Sequence, residues 1–204
     1  VKFPSLFTLP QIDVLADLHE RDSQERLQGM REDSSLKALA PAVAQLLYLL
    51  IVQKGAKTIV EFGTSHGYST IHLAAASDRM DGRVYTVDVL PEKTKLATDN
   101  LEAAGLLHRV TLATCEGTDF VASLPDGIDF VLVDYGVPAF ASAFEMLRDK
   151  TALGCVIFVD GGLEGHWESK EVAGFKERLE GDPAFIVSIL PMKKDQLIAV
   201  RVAE

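Results

Sequence analysis

From about residue 36 onward, short apolar or β-branched runs alternate with segments of helical spacing, and this alternation restricts the architecture most. The strand-like runs are Thr58–Phe62, Arg83–Asp88, Arg109–Thr114, Ile128–Asp134, Gly154–Asp160, Phe185–Leu190 and Gln196–Val202. Helical spacing predicts helices over Leu36–Val52, Tyr68–Ala76, Pro91–Ala104, Val137–Lys150 and Glu168–Leu179. In the first of these, Leu39, Val43, Leu46, Leu47 and Leu50 share one face. Pro91 opens its segment and Gly105 closes it, the usual asymmetry of helix ends. Strand–helix alternation implies a parallel sheet covered on both faces, a doubly wound α/β fold. Only Pro191–Asp195 separates the last two strands, and so short a connection permits only an antiparallel hairpin. The expectation is therefore a mostly parallel seven-stranded sheet with its last strand antiparallel.

Residues 1–35 stand apart as an N-terminal helical arm or cap on a domain of residues 36–204. Ile12, Leu15 and Leu18 suggest a helix, whereas His19–Ser35 is mostly charged and polar. A solvated helix or arm and a cap or dimer contact both fit this stretch.

The length of 204 residues suits one domain with a sizeable core. A net charge of −10 repels phosphate backbones, and no basic patch offsets it, since Lys193-Lys194 is an isolated pair. Nucleic acid is thus not an expected partner. The longest apolar run, near Leu46–Val52, is too short to span a membrane. The first residues lack the pattern of a secretory signal. Cys115 and Cys155, in predicted strands far apart in sequence, read as two buried thiols. Together these features point to the cytoplasm.

The chemistry concentrates around Thr58-Ile59-Val60-Glu61-Phe62-Gly63-Thr64-Ser65-His66-Gly67-Tyr68-Ser69-Thr70, an apolar strand running into a glycine turn and then a helix. Gly63 and Gly67 let backbone approach a ligand at the strand's carboxyl end. The turn has no lysine and lacks the Gly-Lys-Ser/Thr ending of a phosphate-binding loop, which argues against a nucleoside triphosphatase. Four strands end in or near a carboxylate: Glu61, Asp88, Asp134 and Asp160. In such sheets ligands bind outside the carboxyl ends of the strands, so the rim is acidic. That rim opposes a pyrophosphate and suits S-adenosylmethionine, with its sulfonium, its ammonium and its ribose diol. Asp88, 21 residues after Gly67 (88 − 67), is placed to accept hydrogen bonds from both ribose hydroxyls, although dinucleotide folds share this spacing. Glu61 holds a place where the dinucleotide fingerprint carries an apolar residue. Its purely structural reading is a partner for a lysine or a helix N-terminus.

These segments carry a resemblance. Ala40–Thr70 resembles the opening of the small O-methyltransferase family that includes catechol and caffeoyl-coenzyme A methyltransferases. Asp129–Asp134 and Val156–Asp160 resemble that family's fourth and fifth strands, and Phe185–Arg201 resembles its closing hairpin. The similarity covers roughly residues 36–202 and implies a class I, Rossmann-like methyltransferase fold and methyl transfer from S-adenosylmethionine to a hydroxyl of a small molecule. It implies that Glu61, Gly63, Thr64, Ser65 and Gly67 hold the cofactor and that Ser69 touches its carboxylate. Asp88 would take the ribose, Glu116 and Gly117 the adenine, and Asp134 the amino group or a metal. For Glu116 a place at a helix N-terminus, favoured by the helix dipole, is an equal reading. A homodimer is also implied, for which the apolar Leu36–Val52 helix is the one hint.

The sequence departs from the family at two places. Many members bind a divalent cation through two aspartates and an asparagine, and that cation acidifies a catechol hydroxyl. Asp134 and Asp160 match the aspartates, but Gly161 stands where the asparagine is expected. Val137 replaces an expected lysine. Two carboxylates can still hold Mg²⁺ with water completing its shell. As a replacement base, His166 sits in a glycine-rich segment beside Trp167, where a substrate ring could stack; a surface-loop histidine is its structural reading. His66 reads as a loop residue packing over the cofactor, His72 as part of a helix surface, and His19 and His108 as solvent-facing. Tyr68 and Tyr135 flank the turn and the fourth strand. Three alternatives share this pattern: a dinucleotide-dependent oxidoreductase, a cofactor-binding protein with impaired catalysis, and a methyltransferase acting on nitrogen.

Overall fold

The computed structural model describes residues 6–30, 35–134, 137–160, 170–191 and 196–203, with the backbone alone for 137–140 and 170–173. Its helices are α1 (Leu9–Leu27), α2 (Pro41–Lys54), α3 (Tyr68–Arg79), α4 (Pro91–Ala103), α5 (Gly117–Ser123), α6 (Val137–Lys150) and α7 (Lys170–Gly181). Its strands are β1 (Thr58–Phe62), β2 (Arg83–Asp88), β3 (Val110–Thr114), β4 (Ile128–Val133), β5 (Thr151–Val159), β6 (Phe185–Leu190) and β7 (Gln196–Arg201). The sheet order is β3-β2-β1-β4-β5-β7-β6. The pairs β1/β4, β2/β3 and β4/β5 are parallel, and β7 runs antiparallel to both β5 and β6. The expected mostly parallel seven-stranded sheet with an antiparallel last strand is therefore observed.

By internal contacts the chain divides into two units, one of Val1–Lys57 and Thr64–Thr114, the other of Thr58–Gly63 and Cys115–Glu204. In the first unit α2 packs on α3, and α1 packs on α3 and α4. Leu15 and Leu18 of α1, Leu47 and Ile51 of α2, and Ile71 and Leu73 of α3 are fully enclosed. The buried face of α2 is Val43, Ala44, Leu47, Tyr48 and Ile51, one step round from the expected face, so Leu46 and Leu50 are half-exposed. This helix also begins at Pro41 rather than Leu36. The residue before a proline is pushed out of the helical region, and Ala40 is extended at ψ 135°. Residues 9–27 of the supposed arm form one continuous helix, whose first turn is closed by Thr8 N–H donating to Gln11 Oε1 at 3.0 Å.

In the second unit the core is aromatic. Phe144 of α6 meets Phe175 of α7 edge-on at 5.4 Å and Phe185 of β6 at 5.9 Å. Phe130 and Phe158 are enclosed on β4 and β5. Each such side chain contributes about 2–3 kcal/mol by leaving water. β5 starts at Thr151, three residues before the expected Gly154, because Gly154 sits within the strand at φ 76°. There the β4/β5 register shifts, Ile128 pairing with Thr151 and Phe130 with Val156. The short α5 carries too little periodicity to be read from sequence. Arg109, expected in β3, belongs to a 3-10 turn. Cys115 lies just past β3 and is half-exposed rather than a buried strand thiol; Cys155 is buried, and no disulfide joins the two. The expected start of the last helix at Glu168 lies outside the described residues.

Candidate functional site

The glycine turn of the first unit is fixed by its own backbone. Thr64 N–H donates to Val87 O at 3.1 Å, and Gly67 N–H closes the turn on Thr64 O at 2.9 Å. The Thr64 and Thr86 hydroxyls pair at 2.6 Å. Gly67 adopts φ 89°, and a Cβ there would stand 3.4 Å from Ala97 Cα and Cβ. Glycine is thus favoured by the left-handed turn, whereas a Cβ would make only ordinary contact with α4. Ser65 also holds positive φ, at 46°, which costs a non-glycine residue about 1 kcal/mol or more.

Asp88, the last residue of β2, compensates that strain. Ser65 N–H donates to Asp88 Oδ2 at 2.9 Å, and Leu90 N–H donates to Asp88 Oδ1 at 3.1 Å. Each carboxylate oxygen has a second lone pair, so the half-exposed group can still accept from a diol. Val89 beside it is an exposed apolar side chain, 48% accessible.

Burial sorts the predicted turn residues. Gly63 and Ser65 are half-exposed, whereas Thr64 is wholly enclosed and His66 and Ser69 are buried. The Thr64 hydroxyl pairs with Thr86 inside the first unit, and that contact holds the turn. His66 Nδ1 lies 3.3 Å from Ser65 Oγ, and His66 O accepts from Asn100 Nδ2 at 2.9 Å. Burial, then the Lys93 and Arg21 charges, lower the His66 pKa below the usual value, so its ring is neutral at pH 7. Asn100 was not foreseen. It stands three residues after Ala97, on the α4 face that meets the turn, a relation visible only once that packing is known.

His72 corrects an expectation. It is fully buried rather than on a helix surface, its ring 5.1 Å from Phe7 and 5.0 Å from Tyr68. Its Nδ1 lies 2.9 Å from Tyr68 O. Burial lowers its pKa to about 4, and burial likewise pushes the Tyr68 hydroxyl up to about 12. Tyr68 is enclosed, 3% accessible. Tyr135 lies outside the described residues. His108 is exposed, 3.5 Å from Asp78, and His19 is half-buried.

In the second unit, Glu61 is the penultimate residue of β1, in register with Leu132, and is fully enclosed. Gly63 follows at φ 100°. Asp134 N–H donates to Phe62 O and Asp160 N–H to Val133 O, each at 2.9 Å. Both aspartates are half-buried and stand one residue past the ends of β4 and β5. Glu116 is the N-cap residue of α5 but its side chain makes no cap bond and is exposed; Gly117 is buried. Among the described residues no group of three or more His, Cys, Asp or Glu could hold a metal. His166, Trp167 and Gly161 lie outside the described residues.

The chain is similar to several methyltransferases. The chain is 29% identical over 127 residues to a catechol O-methyltransferase of Niastella koreensis, covering 60% of this chain and 57% of that protein. It is 30% identical to a catechol O-methyltransferase of Mycobacterium tuberculosis, covering 63% and 58%. The match thus spans less than two thirds of these relatives' own length. Among solved structures, an O-methyltransferase from Bacillus cereus in complex with SAH superposes with TM-score 0.77 at 24% identity, over 93% of this chain and 90% of that one. A Streptomyces achromogenes O-methyltransferase of tomaymycin synthesis, in complex with SAM, gives 0.79 at 24%, over 91% and 89%. These structural likenesses establish the Rossmann-like methyltransferase fold. The family model for a methyltransferase domain matches residues 60–162, just over half of the 204 residues, and the chain belongs to that family.

Proposed function

We propose that the chain transfers a methyl group from S-adenosylmethionine to a hydroxyl of a small molecule. Asp88 carries the reading, as a half-exposed carboxylate held in place at a strand's carboxyl end by two backbone donors. S-adenosylmethionine, when bound, supplies an electrophilic methyl on a cationic sulfur. In the first unit Asp88 accepts from the ribose diol, exposed Val89 offers a flat apolar surface for the adenine, and Ser65 and Gly67 present backbone. Ser69, near the start of α3, meets the carboxylate, where the helix dipole favours an anion. In the second unit Gly63 presents backbone, enclosed Glu61 lies beneath the strand end, and Glu116 and Gly117 flank the adenine. Asp134 takes the amino group or orients the acceptor hydroxyl. His166 accepts the hydroxyl proton as the oxygen–carbon bond forms and the carbon–sulfur bond breaks, its electron pair passing to sulfur.

Asp134 and Asp160 suit a hard cation by donor type but supply only two ligands, so no step is routed through a metal. A small-molecule acceptor accords with the acidic chain and its pI of about 5.0. Half-exposed Leu46 and Leu50 beside exposed Leu49 on α2 support a homodimer. Two cysteines not joined in a disulfide accord with a reducing, cytoplasmic setting. Among the described residues no helix is long and apolar enough to cross a membrane.

Calorimetry tests the reading. S-adenosylmethionine and S-adenosylhomocysteine should bind in the micromolar range and NAD should not; tight NAD binding with neither of the others would replace it with the oxidoreductase alternative. A panel of phenolic acceptors, with and without Mg²⁺ and with a chelator, then separates metal-assisted transfer from metal-free transfer. Binding with no turnover of any acceptor would support the impaired-enzyme alternative, which Gly161 and Val137 motivate.

A further inference from the structure

One continuous line of hydrogen bonds crosses the first unit. Glu25 Oε2 on α1 accepts from Leu36 N–H at 2.7 Å. Leu36 O in turn accepts from Ser65 Oγ at 2.9 Å, and Ser65 N–H donates to Asp88 Oδ2 at 2.9 Å. The segment after Leu36 is gripped by the same helix. Asp22 Oδ1 accepts from Ala38 N–H at 3.0 Å, Asp22 Oδ2 accepts from Arg26 Nε at 2.6 Å, and Arg26 donates to Ala38 O at 2.9 Å. Asp22 is 7% accessible, so the accepting carboxylate is buried while Arg26 reaches it from the exposed side.

Two residues along this line hold backbone conformations that L-residues avoid, Lys37 at φ 48° and Ser65 at φ 46°. Such angles persist only where the surroundings over-determine them. For Ser65 those surroundings are Leu36 O on one side and Asp88 on the other.

We propose that Glu25 is a positioning residue for the cofactor. Its carboxylate fixes Leu36, Leu36 O holds Ser65 in the left-handed turn, and Ser65 N–H aims the Asp88 carboxylate at the ribose diol. α1 is then part of the cofactor-binding apparatus. The inference rests on the methyltransferase reading above for the ligand, but not for the relay itself.

The test uses Glu25→Ala, Glu25→Gln, Ser65→Ala and the Glu25→Ala/Ser65→Ala pair, with S-adenosylhomocysteine as probe in calorimetry. Glu25→Ala should weaken binding about tenfold, the scale of one lost charge-assisted hydrogen bond. Glu25→Gln, whose amide oxygen still accepts, should recover most of that loss. The double variant should bind no worse than Ser65→Ala alone. Affinity unchanged in Glu25→Ala, no recovery in Glu25→Gln, or full additivity in the pair would each overturn the relay. Should Glu25→Ala fail to fold, Ser65→Ala cuts the line from the other end, and undiminished affinity there overturns it equally. In ligand-free protein, amide exchange at Leu36 and Ser65 should be slow in the wild type and fast in Glu25→Ala; equal rates would also overturn it. A wild type that binds no S-adenosylhomocysteine yet shows this exchange pattern would overturn the functional reading and leave the relay standing.

Discussion

The two units bury different kinds of side chain. Apart from Glu61, Thr151 and Gln196, every buried polar or charged residue described lies in the first unit, among them Asp22, Thr64, His66, Ser69, His72 and Thr86. The second unit encloses Phe62, Phe130, Phe144, Phe158 and Phe175. Burying polar groups costs free energy unless each finds a partner, so a region that does so throughout is shaped for something besides stability. The second unit is packed around aromatic rings, and the first buries the polar groups that hold a turn and a carboxylate in one arrangement.

If that contrast is right, the largest stability loss comes from the aromatic core. Phe144→Ala should cost about 3–5 kcal/mol in denaturant unfolding, with S-adenosylhomocysteine affinity unchanged in the folded fraction. A loss below about 1 kcal/mol would erase the aromatic-core side of the comparison. Next is the interior histidine. His72 is neutral when folded, with its pKa lowered to about 4. Above pH 6.5 neither state binds its proton. Below that the unfolded chain takes it up and the native one does not, so stability falls between pH 6.5 and about 4, by about 3 kcal/mol. His72→Phe should flatten that part of the pH–stability curve relative to wild type; parallel curves would contradict it.

Asp88→Ala should weaken S-adenosylhomocysteine binding about 100-fold, since two backbone donors and the ribose lose one charged acceptor, and a change under threefold would remove Asp88 from the ligand's contacts. The smallest effect expected is that of Thr64→Val, about 1 kcal/mol of stability through the lost hydroxyl pair with Thr86. A calorimetric affinity loss exceeding the Asp88 variant's would mean that Thr64 contacts ligand after all.

The sheet was legible because each strand is a short apolar run bounded by a turn, and the brevity of Pro191–Asp195 dictated the antiparallel end. The glycine turn was legible because Gly63 and Gly67 flank a strand-to-helix step. Partners distant in sequence were not. Asn100 reaches His66 O only because Ala97 brings α4 against Gly67, and Glu25 reaches the turn only through Leu36. His72 was misjudged because α3 is enclosed nearly all round, Tyr68 to Ser77 being buried without interruption, so periodicity could not single out a solvent side. The helix expected from Leu36 ran too early because apolar spacing outweighed Pro41, and the residues it absorbed form the irregular stretch that α1 grips.

The position of β7 between β5 and β6 sets a timetable for synthesis. Residues 185–190 leave the ribosome before their neighbour exists, and residues 151–159 wait still longer with a bare edge. Pairing one of them directly with the other would give a misregistered sheet closed too soon. Until residues 196–201 emerge, the second unit cannot reach its final hydrogen-bonded form, and a nascent chain stalled just short of them would expose two unpaired strand edges to any chaperone or aggregate within reach.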